Sequence, residues 1–222
     1  MKTIVLNHKM NLNYQQVDEY IKRINKINKS IIIAPSNIYL LEFIKKCHHQ
    51  ISSQDVCYIE EGNYTGKVSW SQIKSLGIKY SLIGHSEKQD DIKKINAKLK
   101  ACLENDITPI LCFGNNTESE DIIEVIKQIS LISDKIIYAY EPIFNIGSKN
   151  INNNYIQEQI KKIYTYLTQV ANIKPTIIYG GGINSENINT IYHMELLDGI
   201  LIGGASSDIS EVEKLLSKID EK

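Results

Sequence analysis

Eight short runs of β-branched and apolar residues alternate with longer amphipathic segments, and this alternation restricts the fold more than any other feature of the chain. The runs are TIVLNHK from Thr3, SIIIAPS from Ser30, QISSQDV from Gln50 and KYSLIGHS from Lys79. They continue as ITPILCFG from Ile107, KIIYAYEP from Lys135, PTIIYGGG from Pro175 and DGILIGG from Asp198. Most are continuously apolar, the pattern of parallel strands covered on both faces. Between them Val17, Tyr20, Ile21, Ile24 and Ile27 fall at helical spacing. So do Ile122, Val125, Ile126 and Ile129, and later Ile156, Ile160, Ile163 and Tyr164. Asn184, Ser185 and Ser206 are candidate helix starts.

Repeated βα units joined by right-handed crossovers predict a closed (β/α)8 barrel. No Gly/Ser-rich linker divides the 222 residues, so residues 1–222 read as a single domain. A doubly wound open sheet is the structural alternative, but the first βα turn lacks GxGxxG. No run of 18 or more apolar residues suggests a membrane span. The N-terminal MKTIVLNHKMN turns polar too early for a signal peptide. Cys47, Cys57, Cys102 and Cys112 lack metal-ligand spacing and read as reduced thiols in a cytoplasmic protein, with Cys112 packed in a strand. A net charge of −1 argues against nucleic acid as a partner.

In such a barrel the site lies at the C-terminal ends of the strands. Polar residues there are Asn7 and Lys9 after the first strand, His85 after the fourth and Glu141 after the sixth. Glycines follow the seventh (Gly180, Gly181, Gly182) and the eighth (Gly203, Gly204). Singly, each has an ordinary reading: a surface charge, a structural histidine, a loop carboxylate, a turn. Jointly, a lysine, a histidine and a glutamate from three distant segments converge on one rim. Backbone N–H groups at Gly-rich turns bind anions, so a phosphorylated small molecule is expected.

The sequence resembles the triosephosphate isomerases over nearly its whole length. The resemblance is carried by NHKMN at Asn7 to Asn11, YTGKVS at Tyr64 to Ser69, IGHSE at Ile83 to Glu87 and ILCFG at Ile110 to Gly114. Further on it is carried by AYEPIFNIGS at Ala139 to Ser148, YGGGIN at Tyr179 to Asn184 and DGILIGGAS at Asp198 to Ser206. It implies a TIM barrel and interconversion of dihydroxyacetone phosphate and glyceraldehyde 3-phosphate in glycolysis and gluconeogenesis. It also implies no metal or organic cofactor, and a cytoplasmic homodimer. By the same resemblance Glu141 is the base, His85 polarises the carbonyl, Lys9 stabilises the enediolate and Asn7 orients the substrate. Glu87 partners Lys9, and Gly147, Gly182, Gly203 and Gly204 present N–H groups to the phosphate. A neutral imidazole at His85, favoured by the helix start that follows it, is an effect for which this family is itself the known example. A different phosphosugar isomerase or lyase on the same barrel, and a catalytically silent phosphate-binding relative, are the competing readings.

Several positions depart from the family pattern. Phe144 stands for tryptophan and Asn115 for glutamate, which removes the latch of the open lid. Lys149 stands for glycine and Gly182 for serine, which leaves Tyr179 as the closing contact. In the dimer loop Lys67 replaces glutamate and Lys88 replaces its arginine partner across the interface, and two lysines brought close would repel. A homodimer is still expected through the loop around Thr65, because Thr65, Gly62 and Gly66 remain.

Overall fold

The computed structural model describes residues 2–114, 121–142 and 152–219. Eight parallel strands form a closed barrel in sequence order. They are β1 (Thr3–Asn7), β2 (Ile31–Ala34), β3 (Gln50–Ser53), β4 (Tyr80–Ile83), β5 (Thr108–Phe113), β6 (Ile137–Tyr140), β7 (Thr176–Tyr179) and β8 (Gly199–Ile202). Each lies inside the apolar run that announces it. The open-sheet alternative is excluded by the seam, where Ile4 pairs with Ile200 and Leu6 with Ile202.

The strands are apolar for most of their length because the barrel has two cores. Val5, Ile32, Leu82, Ile110, Ala139, Ile178 and Leu201 pack among strands only and fill the interior. Their neighbours Ile4, Leu6, Ile33, Leu111, Tyr138 and Ile177 point outward and pack against the helices. Side-chain alternation with both faces covered leaves few positions for polar residues before a strand ends, and the fully buried serines of β3 and β4 are hydrogen-bonded, Ser53 donating to Ser81 at 2.9 Å.

The helices are α1 (Tyr14–Ile24), α2 (Leu40–Lys46), α3 (Trp70–Ser75), α4 (Ile92–Glu104), α5 (Ile122–Lys127), α6 (Asn153–Thr165), α7 (Ile188–Tyr192) and α8 (Ile209–Lys218). Asn13 with Gln16, and Ser69 with Gln72, form reciprocal caps that fix where α1 and α3 begin. Arg23, the single arginine of the chain, ties α1 to α8 by pairing with Glu213 at 2.5 Å across the barrel seam.

Four details differ from the expected helix periods and starts. Ile27 and Ile129 pack against the core from turns beyond α1 and α5. Tyr164 faces solvent, and the apolar row of α6 continues instead through Ile163 to Leu167. Ser206 starts no helix: it sits fully buried in the short 3-10 turn Gly204–Ser207, and Asp208 caps α8. Asn184 does cap a turn, accepting N–H bonds from Glu186 (2.8 Å) and Asn187 (3.2 Å), but α7 begins only at Ile188.

Candidate active site

Asn7 ends β1. Its side-chain oxygen accepts the Lys9 N–H at 3.1 Å, and its carbonyl accepts the Ser206 hydroxyl at 2.6 Å. The buried serine thus anchors the strand end rather than opening a helix. Lys9 has φ +53°, a left-handed conformation uncommon outside glycine. The lysine Nζ lies 2.7 Å from Glu87 Oε1. A methyl group on Gly203 would come 3.2 Å from Lys9 Cε, which places the glycine turn after β8 beside the lysine stem.

His85 caps the 3-10 turn Ser86–Lys88 after β4. Its Nδ1 accepts the Glu87 N–H at 3.3 Å. An acceptor at Nδ1 fixes the neutral ring's proton on Nε2. That nitrogen faces Glu141, 3.5 Å from Oε2. Burial, then the Lys9 charge, lower the His85 pKa, and Glu87 only partly opposes them. The imidazole is therefore neutral near pH 7, a hydrogen-bond donor toward the barrel mouth.

Glu141 follows β6 directly, and its N–H continues the ladder to the Phe113 carbonyl at 2.7 Å. The carboxylate is only 3% exposed. Oε1 is buried with no hydrogen-bond partner among the described residues. Burial raises the pKa to about 7, while the Cys112 thiol and Lys9 draw it back down. A carboxylate with these properties suits proton abstraction near neutral pH. Gly180 makes room for it: a Cβ there would lie 2.6 Å from Glu141 Cγ.

The structure thus gathers Asn7, Lys9, His85, Glu87, Glu141 and Gly203 at one mouth. Gly182 (φ +56°) lies in the turn after β7, its carbonyl accepting from Asn187 Nδ2 at 3.0 Å. At Gly204 an added Cβ would meet open space. Gly147 lies outside the described residues, as do Asn115, Phe144 and Lys149. Among the described residues no group of three or more His, Cys, Asp or Glu side chains could hold a metal ion.

The family model of triosephosphate isomerase matches residues 2–219. The chain belongs to the triosephosphate isomerase family. It is 36% identical to the triosephosphate isomerase of Mycoplasma capricolum subsp. capricolum, over 92% of this chain and 93% of that one. It is 32% identical to that of Mesomycoplasma hyorhinis, over 97% and 98%, and to that of Wigglesworthia glossinidia brevipalpis, over 100% and 98%. By class the chain is an isomerase.

Three features of this triosephosphate isomerase family member carry no clear signal in the sequence. Cys112 points inward at the end of β5 and touches the Glu141 carboxylate, where burial and that charge push the thiol pKa up. Gln54, after β3, donates to the Lys9 carbonyl at 2.8 Å. His8, between Asn7 and Lys9, turns the other way. It packs edge-on against Tyr20 and Phe43, and neither ring nitrogen has a hydrogen-bond partner among the described residues. Lys88 is paired within its own chain, 3.0 Å from Asp55.

Proposed function

We propose that the protein interconverts dihydroxyacetone phosphate and D-glyceraldehyde 3-phosphate through an enediolate, as a step of glycolysis and gluconeogenesis. The observation that carries the reading is the buried Glu141–His85 pair, 3.5 Å apart, with the Lys9 ammonium at the same mouth. Glu141 removes the proton from the carbon beside the carbonyl. His85 donates its Nε2 hydrogen bond to the carbonyl oxygen, and Lys9 stabilises the negative charge that develops there. Asn7 fixes the Lys9 backbone and orients the substrate. His85 passes its Nε2 proton to the carbonyl oxygen and takes the proton of the neighbouring hydroxyl, and Glu141 returns its own proton to the neighbouring carbon, so the carbonyl and the hydroxyl exchange places. Atoms and electrons balance without a redox partner. Fixed charges and dipoles in a dry site supply most of the acceleration such a reaction needs. Backbone N–H groups at Gly182, Gly203 and Gly204, joined by Gly147, would take the phosphate.

Residues 1–222 act as one domain in this reading, and the active form is a homodimer built on the loop around Thr65. Two observations support the dimer. Gly62 and Gly66 keep the positive φ values (+140° and +82°) that shape the loop. Met10, Ile38, Leu41 and Tyr64, in the segments after β1, β2 and β3, leave apolar side chains exposed on one side of the rim. The four cysteines are free thiols, which suits the cytoplasm.

A coupled assay with glyceraldehyde 3-phosphate tests the function. Turnover is expected, and Glu141→Gln should lower kcat by at least about 10²–10⁴-fold. Turnover equal to that variant's would remove Glu141 as the base.

A further inference from the structure

Lys9, His85 and Glu141 come from the ends of β1, β4 and β6. The end of β3 contributes no reacting group, yet its next two side chains grip the elements on both sides. The Gln54 amide donates to the Lys9 carbonyl at 2.8 Å and to the Ala34 carbonyl, at the end of β2, at 2.9 Å. Lys9 is left-handed at φ +53°, a state that is strained for a non-glycine residue and persists only where neighbours impose it. Its N–H is held by Asn7 and its carbonyl by Gln54, so the peptide groups on both sides of the strained residue are fixed.

Asp55 grips the other side. Its Oδ2 lies 3.0 Å from Lys88 Nζ, and its Oδ1 accepts from Lys98 Nζ at 2.5 Å. Lys98, on α4 and only 6% exposed, also pairs with Asp90. Lys88 closes the short turn that His85 opens, and Asp90 lies two residues beyond Lys88. The Lys9–Glu87 contact at 2.7 Å joins the two gripped segments. A loop packed only for its own stability would not need both its side chains aimed at the two segments that carry the charge-stabilising groups.

We infer that Gln54 and Asp55 form a positioning brace: they touch no substrate, and they hold Lys9 and the His85–Glu87 turn in the register that lets Lys9 meet the developing charge. The inference rests on the role proposed for Lys9 above. A shift of Lys9 by about 1 Å would cost on the order of a hundredfold in rate.

The test is a double-mutant cycle on the full chain, with kcat, KM and melting temperature measured for Gln54→Glu, Lys9→Met and the pair. Gln54→Glu keeps the size of the side chain and replaces its donors by acceptors. The expected result is a loss of about 10- to 100-fold in kcat/KM that vanishes in the Lys9→Met background. An equal loss in both backgrounds means a merely structural role and overturns the brace, as does no loss at all. If Lys9→Met alone leaves kcat/KM unchanged, the role given to Lys9 has failed. If Lys9→Met is impaired and Gln54→Glu is not, the brace alone has failed. Should Gln54→Glu not fold, Asp55 decides. Asp55→Asn should lower kcat with Asp55→Glu recovering most of it, and equal activities in the two would overturn the inference.

Discussion

His8 offers the sharpest quantitative test of how this barrel is built. The ring is 1% exposed, lies 4.5 Å from the Tyr20 ring and 5.5 Å from the Phe43 ring, and pairs neither nitrogen among the described residues. Burial pushes its pKa from 6.5 down to about 3. Below pH 6.5 the unfolded chain gains a proton at this residue that the folded protein does not take up until about pH 3. Stability is therefore complete above the unfolded value and falls as the pH drops through that window. Linkage gives a loss of about 0.2 kcal/mol at pH 7 and about 2 kcal/mol at pH 5. His8→Phe removes the dependence. The larger ring adds a packing cost of about 1–3 kcal/mol, but that cost does not vary with pH. The measurement is urea unfolding by circular dichroism at fixed protein concentration, at pH 7, 6 and 5. The stability of His8→Phe relative to wild type should rise by about 2 kcal/mol over that range. A difference that stays constant with pH would refute the assignment of His8 as a buried neutral group.

Other perturbations give simpler readouts. The acid limb of kcat/KM should report the Glu141 pKa near 7, falling as the base is protonated. Cys112→Ala removes a group that holds that pKa down, so the limb should move to higher pH in a pH–rate profile. Gly180→Ala places a methyl group 2.6 Å from Glu141 Cγ, and the displaced base should lower kcat by about a hundredfold in the coupled assay. Met10→Lys charges a side chain that is 94% exposed on the apolar rim, and sedimentation velocity should show the proposed dimer weakened.

The barrel was legible because most strands are buried on both faces and write nearly uninterrupted apolar runs that end where a polar residue is needed, β3 with its buried Ser52 and Ser53 being the clearest exception. Asn7, Lys9, His85 and Glu141 stood out for the same reason: each breaks such a run at the rim. Other parts were hidden because their meaning lies in contacts between distant segments. Gln54 and Asp55 read as ordinary loop residues until β3 is set between β2 and β4. Ser206 follows two glycines and looks like a helix cap, but its hydroxyl is taken by the Asn7 carbonyl from the far end of the chain. Tyr164 fits a helical period, yet the neighbouring Ile163 takes the buried face. His8 lies between two recognisable site residues, and only strand alternation sends it to the opposite side of the wall.

That alternation gives the site and its support opposite responses to acid. Glu141, folded, has a pKa of about 7 against an ordinary 4.5, so the folded state binds the extra proton between those values. Relative to a carboxyl of ordinary pKa, this raised proton affinity costs the folded state about 3 kcal/mol at pH 7 and about 1 kcal/mol at pH 5. Acidification over that range thus recovers about 2 kcal/mol through Glu141 while it forfeits about 2 kcal/mol through His8. As far as these two groups determine it, the wild-type stability profile is flat because two slopes cancel. The single variants separate them. His8→Phe should grow more stable as the pH falls from 7 to 5, and Glu141→Gln should grow less stable. The double variant should be flat again, with the same unfolding experiment reading all four proteins. A flat profile in either single variant would show that the cancelling pair has been wrongly identified. The same cost makes Glu141→Gln more stable than wild type at pH 8, and with Glu141 as the proposed base that variant should also lack turnover.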